Sequence, residues 1–404
     1  MQSPSGTTVP SSASQTVYPI LFSICFAHLL NDLLQSVIPS LYPVMREKYH
    51  LSFAQVGWIT FTFQLTASLL QPFVGNYTDK RPKPYSFALG MGFTFFGIVL
   101  LTVSSGFHSI LAAVACVGIG SSVFHPEASK VSFYASGGRR GLAQSIFQLG
   151  GNTGTAIGPM LVAALVVRHG QLYLAWFLLF AILGMLILIR VGNWYKAHLA
   201  LRAAGKAGTH EQPHDIPRSR VVLSIAILLV LIFSKYFYLT SITSYYTFYL
   251  MQKFHLSISE SQFRLSLFLI SVAAGTFLGG PLGDRFGRKI IIWVSILGIA
   301  PFTLLLPHVN LFWTSVLTVI IGVIMASAFS AILVYAQELL PGKIGMISGL
   351  FFGFAFGIAG IGSALLGNLA DRTSISYVFN LCAYLPLLGI ITGFLPNIRS
   401  SKRT

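Results

Sequence analysis

Gly280-Pro281-Leu282-Gly283-Asp284-Arg285-Phe286-Gly287-Arg288-Lys289 joins two long apolar runs, 259–281 before it and 290–306 after it. A loop this short between segments that long must reverse the chain at a membrane surface. The glycines permit a tight backbone, and Asp284 can pair with Arg285, Arg288 or Lys289 where the dielectric is falling. The alternative for this stretch alone is a basic turn that marks one side of a membrane.

A second copy decides between these readings. Gly75-Asn76-Tyr77-Thr78-Asp79-Lys80-Arg81-Pro82-Lys83-Pro84 places Asp79 205 residues before Asp284. The same offset relates Lys48-Tyr49-His50-Leu51-Ser52 to Lys253-Phe254-His255-Leu256-Ser257. At an offset of 204, Gly118 falls on Gly322 and Gly141 on Gly345. A constant offset means two similar halves of about 200 residues. Parallel halves of this kind build transporters with the substrate at their interface.

The G-x-L-x-D-R-x-G-R-K pattern of 280–289 resembles the signature loop of the major facilitator superfamily. In that family the loop lies between helices 2 and 3 and again between helices 8 and 9. The resemblance implies an all-α integral membrane protein, with twelve transmembrane helices in two pseudo-symmetric six-helix halves. It also implies that Gly75, Asp79, Gly280, Asp284, Arg285 and Arg288 gate one side of the membrane. Glu338 is the expected partner of the basic pair.

Composition agrees with a membrane protein. Hydrophobic residues make up 54% of the chain and charged residues 9%, against roughly a quarter charged in soluble domains. The net charge of +16 comes with no basic face interleaved with aromatics outside the apolar runs. It is therefore read as membrane topology, with no nucleic-acid partner. Cys25, Cys116 and Cys382 fall inside apolar segments and read as small core residues, not a disulfide frame.

Along the chain, residues 1–16 are uncharged and rich in Ser, Thr, Pro and Gln. They read as a disordered tail with neither the basic start nor the cleavage site of a signal peptide. The expected spans are 18–40, 52–76, 85–105, 108–133, 142–167, 171–193, 221–250, 259–283, 290–306, 310–337, 343–370 and 375–396. The N-terminal half is thus 17–193 and the C-terminal half 221–397. A polar linker, 194–220, joins them, and 398–404 forms a tail. With the N-terminus inside, 18 Lys and Arg lie in inner loops and tails and 5 in outer loops. This asymmetry places both termini and the linker in the cytoplasm, with the chain crossing a bacterial inner membrane many times. Ser52-x-x-Gln55 and Ser257-x-x-Glu260 have capping-box form at the entries of helices 2 and 8.

Polar residues inside the spans need a reason, because a charge at a helix centre costs about 2.5–3.5 kcal/mol on insertion scales. His28, Asn31, Asp32 and Gln35 stand at i, i+3, i+4 and i+7, a single stripe on helix 1. The stripe is either a buried contact between helices or a surface that binds protons or substrate in a wet cavity. A carboxylate in a low-dielectric cavity costs less when neutral, so Asp32 is the first candidate proton carrier and Glu127 the second. His28 and His125 stand beside them.

Helix 2 carries Thr60, Gln64, Ser68 and Gln71, and helix 5 carries Gln144, Gln148, Asn152 and Thr155; such amides suit a water-filled cavity. Lys235 lies in Phe233-Ser234-Lys235-Tyr236-Phe237-Tyr238 of helix 7, with Tyr238, Tyr245, Tyr246 and Tyr249 continuing down the helix. Lys235 either pairs across the cavity with Asp32, waits for an anion, or snorkels to the surface. Lys235, Asn31, Gln64, Gln148, Asn152, Tyr238 and Tyr246 are the candidate substrate-binding residues.

In His125-Pro126-Glu127, Pro126 cannot donate to the carbonyl of Ser122, which leaves an acceptor near His125. A His and a Glu at a kink suit proton exchange, while Glu127 could instead pair with Lys130 one turn on. No metal-ligand spacing, nucleophile elbow or nucleotide loop is present, so neither an enzyme nor a bound metal or cofactor is expected. The expected energy source is a proton gradient.

Gly150-Gly151-Asn152-Thr153-Gly154-Thr155-Ala156-Ile157-Gly158-Pro159 resembles the helix 5 motif of antiporters in the superfamily, although a following glycine pair is absent. His28-Leu29-Leu30-Asn31-Asp32, Ser121-Ser122-Val123-Phe124-His125-Pro126-Glu127, Ser234-Lys235-Tyr236-Phe237-Tyr238 and Tyr335-Ala336-Gln337-Glu338-Leu339-Leu340-Pro341-Gly342 resemble bacterial drug-efflux members of the same family. This likeness covers nearly the whole chain and implies proton-driven export of a phosphonate antibiotic. Lys235 suits such an anion as a point charge. The expected partners are a small-molecule substrate, protons and the lipid bilayer, with the chain a monomer. Two alternatives stay open: an importer of an organic anion, and a sensor that keeps the fold without transport.

Overall fold

The computed structural model describes residues 15–51, 53–204, 217–256 and 258–396. The tails, the middle of the expected linker and the capping residues Ser52 and Ser257 lie outside the described residues. Among those described, every regular element is a helix. The N-terminal half runs α1 (Tyr18–Ser40), α2 (Tyr42–Tyr49), α3 (Phe53–Leu69), α4 (Gln71–Lys80), α5 (Ser86–Thr102), α6 (Phe107–Ala135), α7 (Arg140–Leu161) and α8 (Phe177–Ala203). The C-terminal half runs α9 (Arg218–Phe254), α10 (Ile258–Phe286), α11 (Arg288–Ile296), α12 (Ala300–Leu305), α13 (Leu311–Ala326), α14 (Ala328–Leu339), α15 (Ile344–Arg372) and α16 (Ile375–Cys382).

Nine segments among the described residues are long and apolar enough to cross a membrane, and Ser86–Thr102 is a shorter apolar helix. The other expected spans are also helical, and what sets them apart is polarity and interruption. The second is broken at Leu70, between α3 and α4. The fifth, α7, carries amides and hydroxyls on one side and passes into a π-helical turn over Val162–Val167. Both belong to the wall between the halves, where lipid does not dictate an apolar surface. Helix α8 continues to Ala203, well into the expected linker.

Between the halves, α4, α3 and α6 pack on α15, while α10 and α14 pack on α7. These two seams are related by the internal repeat. At each, a pair of glycines lets backbones touch. A Cβ on Gly75 would collide with the carbonyl of Gly345, and one on Gly280 with the carbonyl of Gly141. The Lys-aromatic-His repeat has a local role in both halves. His50 (φ 51) and His255 (φ 54) take the left-handed conformation that ends a helix. Lys48 Nζ donates to Gln171 Oε1 at 2.7 Å, and Lys253 Nζ to the Pro307 carbonyl at 2.6 Å. Each lysine thereby ties the end of its helix to a loop of its own half.

Candidate functional site

Three polar centres lie between or beside the halves. The first is the latch built by the two repeated loops. Asp79, near the end of α4, accepts from the backbone N–H of Gly345 at 3.0 Å and of Met346 at 2.9 Å. Asp284, near the end of α10, accepts from the N–H of Gly141 at 3.0 Å and of Leu142 at 3.0 Å. Each carboxylate thus caps the first turn of a helix in the other half, where unpaired amides and the helix dipole favour an anion.

Charges complete both caps. Lys130 Nζ lies 3.0 Å from Asp79 Oδ1 and 2.6 Å from Glu127 Oε1, with all three side chains almost fully buried. Thr78 donates to Glu127 and accepts from Lys130 at 3.0 Å. On the other seam, Glu338 Oε1 receives Arg140 Nη1 at 3.0 Å and Arg288 Nη2 at 3.1 Å. Arg288 also reaches Asp284 Oδ1 at 3.3 Å. Arg285 is exposed, its guanidinium 5.3 Å from the Phe286 ring and away from this network. Just inside the latch, Ser129, Gln144, Gln337 and Ser348 form a buried hydrogen-bonded cluster across four helices.

The second centre is Asp32. His28 Nε2 lies 3.1 Å from its Oδ2 and His125 Nε2 lies 3.4 Å from its Oδ1. Asn31 Nδ2 and Gln35 Nε2 donate to Oδ1 at 3.0 and 3.2 Å. The whole stripe of α1 therefore converges on one carboxylate. Tautomers follow from the far side of each ring. His28 Nδ1 is 2.7 Å from the Phe147 carbonyl and His125 Nδ1 is 3.0 Å from the Ser121 carbonyl. A carbonyl only accepts, so each Nδ1 carries a proton and each Nε2 is turned to Asp32. Gln35 Oε1 in turn accepts from Ser121 Oγ at 3.0 Å. The acceptor used by His125 is thus Ser121, one residue before the Ser122 carbonyl that Pro126 leaves free. The ligand atoms of His28, Asp32 and His125 lie within 4.8 Å of one another. That spacing would also admit a metal ion, although the sequence has no motif for one. Gly151 makes room for the group: a Cβ there would stand 2.5 Å from His28 Nε2 and 2.7 Å from Asp32 Oδ2.

The third centre is Lys235. It is 5% exposed, and no hydrogen bond or carboxylate reaches it among the described residues. Its ammonium instead stands 5.2 Å from the ring of Phe329 and 5.4 Å from that of Tyr236. It borders a cavity of about 40 Å³ together with Gln148, Asn152, Thr276 and Met325. That volume admits water but no larger ligand without movement. Asn152 Nδ2 donates to Thr276 Oγ1 at 3.2 Å, bridging α7 and α10 across the seam.

The structure therefore gathers His28, Asn31, Asp32 and His125 at one point, and Lys235, Gln148 and Asn152 at another. It sets the remaining residues elsewhere. Glu127 joins the latch through Lys130, on the opposite side of α6 from His125. Tyr238 and Tyr246 are buried in the C-terminal half's own core, and Thr318 donates to the Tyr246 hydroxyl at 3.1 Å. Gln64 faces α15 near Gly360. Arg140 and Gly151 are site residues that sequence reading did not single out, whereas Lys130 entered only as the alternative partner of Glu127, and that pair is the one formed. The signal for Lys130 was its spacing of i+3 from Glu127.

Comparison with known proteins follows the same lines. The Major Facilitator Superfamily profile matches residues 24–249 and 228–404. The chain is 56% identical over 394 residues to the fosmidomycin resistance protein of Escherichia coli K12, covering 98% of this chain and 97% of the relative. It is 43% identical over 384 residues to the uncharacterized MFS-type transporter YfnC of Bacillus subtilis 168, covering 95% and 94%. Among solved structures, the superfamily transporter FucP in its outward conformation superposes with a TM-score of 0.73 at 14% identity, over 95% of this chain and 100% of that one. The human organic anion transporter MFSD10 does so with a TM-score of 0.74 at 16% identity, again over 95% and 100%. The chain belongs to the Major Facilitator Superfamily, and is a multi-pass membrane transporter, not an enzyme.

Proposed function

We propose that this transporter is a proton-coupled antiporter that exports small organic anions, fosmidomycin among them, by alternating access. The observation that carries the reading is a buried ammonium, Lys235, with no anion beside it among the described residues, next to the helix that packs against Asp32. Burying a lone charge is costly unless a partner arrives, and an anionic substrate is such a partner. Helix α7 serves both centres. Gly151 fits against His28 and Asp32, while Gln148 and Asn152 line the cavity of Lys235. An event at either centre therefore acts on the same helix.

Asp32 and the two imidazole Nε2 atoms turned to it offer three facing positions that can take a proton. Proton entry from one side and release to the other would tilt α7 between two packings. The latch supports alternating access: both seams at this end are closed, and each depends on one carboxylate capping a helix of the other half. The likeness to a fosmidomycin resistance protein supports export and the substrate class. The excess of Lys and Arg in one set of loops supports cytoplasmic termini in a bacterial inner membrane. The chain would act as a monomer.

The test is counterflow of fosmidomycin in proteoliposomes, with and without an imposed pH gradient. Exchange at equal pH and accumulation under the gradient are expected. Accumulation that is indifferent to the gradient would leave a uniporter in its place.

A further inference from the structure

Phe352 lies in α15, two turns beyond the amides that Asp79 caps, and is 2% exposed. Its ring centroid is 5.3 Å from the imidazole of His125 and 5.2 Å from the ring of Phe329. Phe329 in turn lies 5.2 Å beneath the ammonium of Lys235. Phe147, 6.0 Å from Phe352, stacks on His28 at 3.9 Å. A single ring thus touches the Asp32 group on one side and the floor of the Lys235 cavity on the other.

We propose that Phe352 is a positioning residue: a wedge that keeps the Asp32 group out of contact with the Lys235 cavity while the latch is closed, and withdraws when α15 moves. The proposal rests on the antiport reading above. His125 Nε2 is buried without a hydrogen-bond partner apart from its approach to Asp32. With the ring seated, Phe352 and Phe329 stand in line between His125 and the ammonium of Lys235. Removing the ring would leave a void with the His125 imidazole on one wall, and would thin the barrier between that imidazole and Lys235 to the single ring of Phe329. Protons could then pass the Asp32 group without a substrate anion, and the two fluxes would separate. The same helix carries the latch at its first turn, so opening the latch and withdrawing the wedge are one motion.

The experiment compares the wild-type chain with Phe352→Ala and Phe352→Leu in proteoliposomes. Three readouts are needed: fosmidomycin counterflow at equal pH, fosmidomycin accumulation under a pH gradient, and proton leak without substrate. Phe352→Ala is expected to keep counterflow and gain a proton leak. Its accumulation should fall by about 5- to 150-fold, the range of ordinary coupling free energies. Phe352→Leu, which refills most of the space, should recover accumulation. Wild-type accumulation by Phe352→Ala would overturn the wedge and leave antiport intact. So would loss of counterflow together with accumulation in a correctly inserted protein, since that marks a purely structural role. Failure of the wild-type chain itself to accumulate would overturn the antiport reading and the wedge with it.

Discussion

Asp79 and Asp284 hold each other's halves. The carboxylate of Asp79, in the N-terminal half, closes over the first amides of α15 in the C-terminal half at 2.9–3.0 Å. That of Asp284, in the C-terminal half, closes over the first amides of α7 in the N-terminal half at 3.0 Å. The two caps share one geometry but differ in their surroundings. Asp79 shares a single buried lysine with Glu127, whereas Asp284 stands in a group of two acids and two arginines.

Neutralising either cap is predicted to loosen this end of the molecule. A helix cap contributes about 0.5–2 kcal/mol relative to Ala, so Asp79→Ala or Asp284→Ala should raise the open population about two- to thirtyfold. A cysteine replacing the buried Ser129, in a chain freed of Cys25, Cys116 and Cys382, reports the opening through its rate of alkylation. An unchanged rate in both variants would reduce the loops to topology signals.

Lys130 is predicted to matter most to folding. Removing it in Lys130→Met leaves Glu127 and Asp79 buried without a cation, a change that costs about 3–5 kcal/mol. Thermal stability in detergent should drop accordingly. Adding Glu127→Gln should recover part of the loss, because Asp79 keeps its two amide donors. A double variant no more stable than the single one would contradict this account of the cluster.

Much of this was legible in the sequence, for reasons that can be named. The membrane class and the two halves follow from apolar runs and a constant offset. The α1 stripe follows from helical spacing, and its four members do meet at Asp32. What spacing could not show is how helices face one another. Asp79 finds its amide partners more than 260 residues away, at Gly345 and Met346. His125 and Glu127, two residues apart, point to different neighbours because they lie on opposite sides of α6. The tyrosines of α9 share a helix with Lys235, yet Tyr238 and Tyr246 turn to the core of their own half. A periodic stripe identifies a face but not what covers it.

Gly151→Ala is predicted to mimic the loss of Asp32. The added methyl would sit 2.5 Å from His28 Nε2 and 2.7 Å from Asp32 Oδ2, so one or both side chains must shift from their present contact. Gradient-driven accumulation should fall well beyond any loss of stability. Gly393→Ala, where nothing lies within 4 Å of the new methyl, is the control. Equal accumulation by the two variants would remove the His28–Asp32 contact from the mechanism.

The last prediction separates the two candidate proton carriers, Asp32 and Glu127. Asp32 has two imidazoles and two amides turned to it, no cap to hold and no lysine beside it. Glu127 is fastened by Lys130 and Thr78 inside the latch. If protons drive export through Asp32, Asp32→Asn should abolish accumulation under a pH gradient while substrate exchange at equal pH persists. Glu127→Gln should instead leave accumulation dependent on the gradient and change chiefly stability and latch opening. Lys235→Met should weaken both exchange and accumulation, because it removes the charge that receives the anion. Full gradient-driven accumulation by Asp32→Asn would remove the proposed carrier. Its loss in Glu127→Gln alone would move the proton site from the cavity to the latch, and the two imidazoles would then need another role.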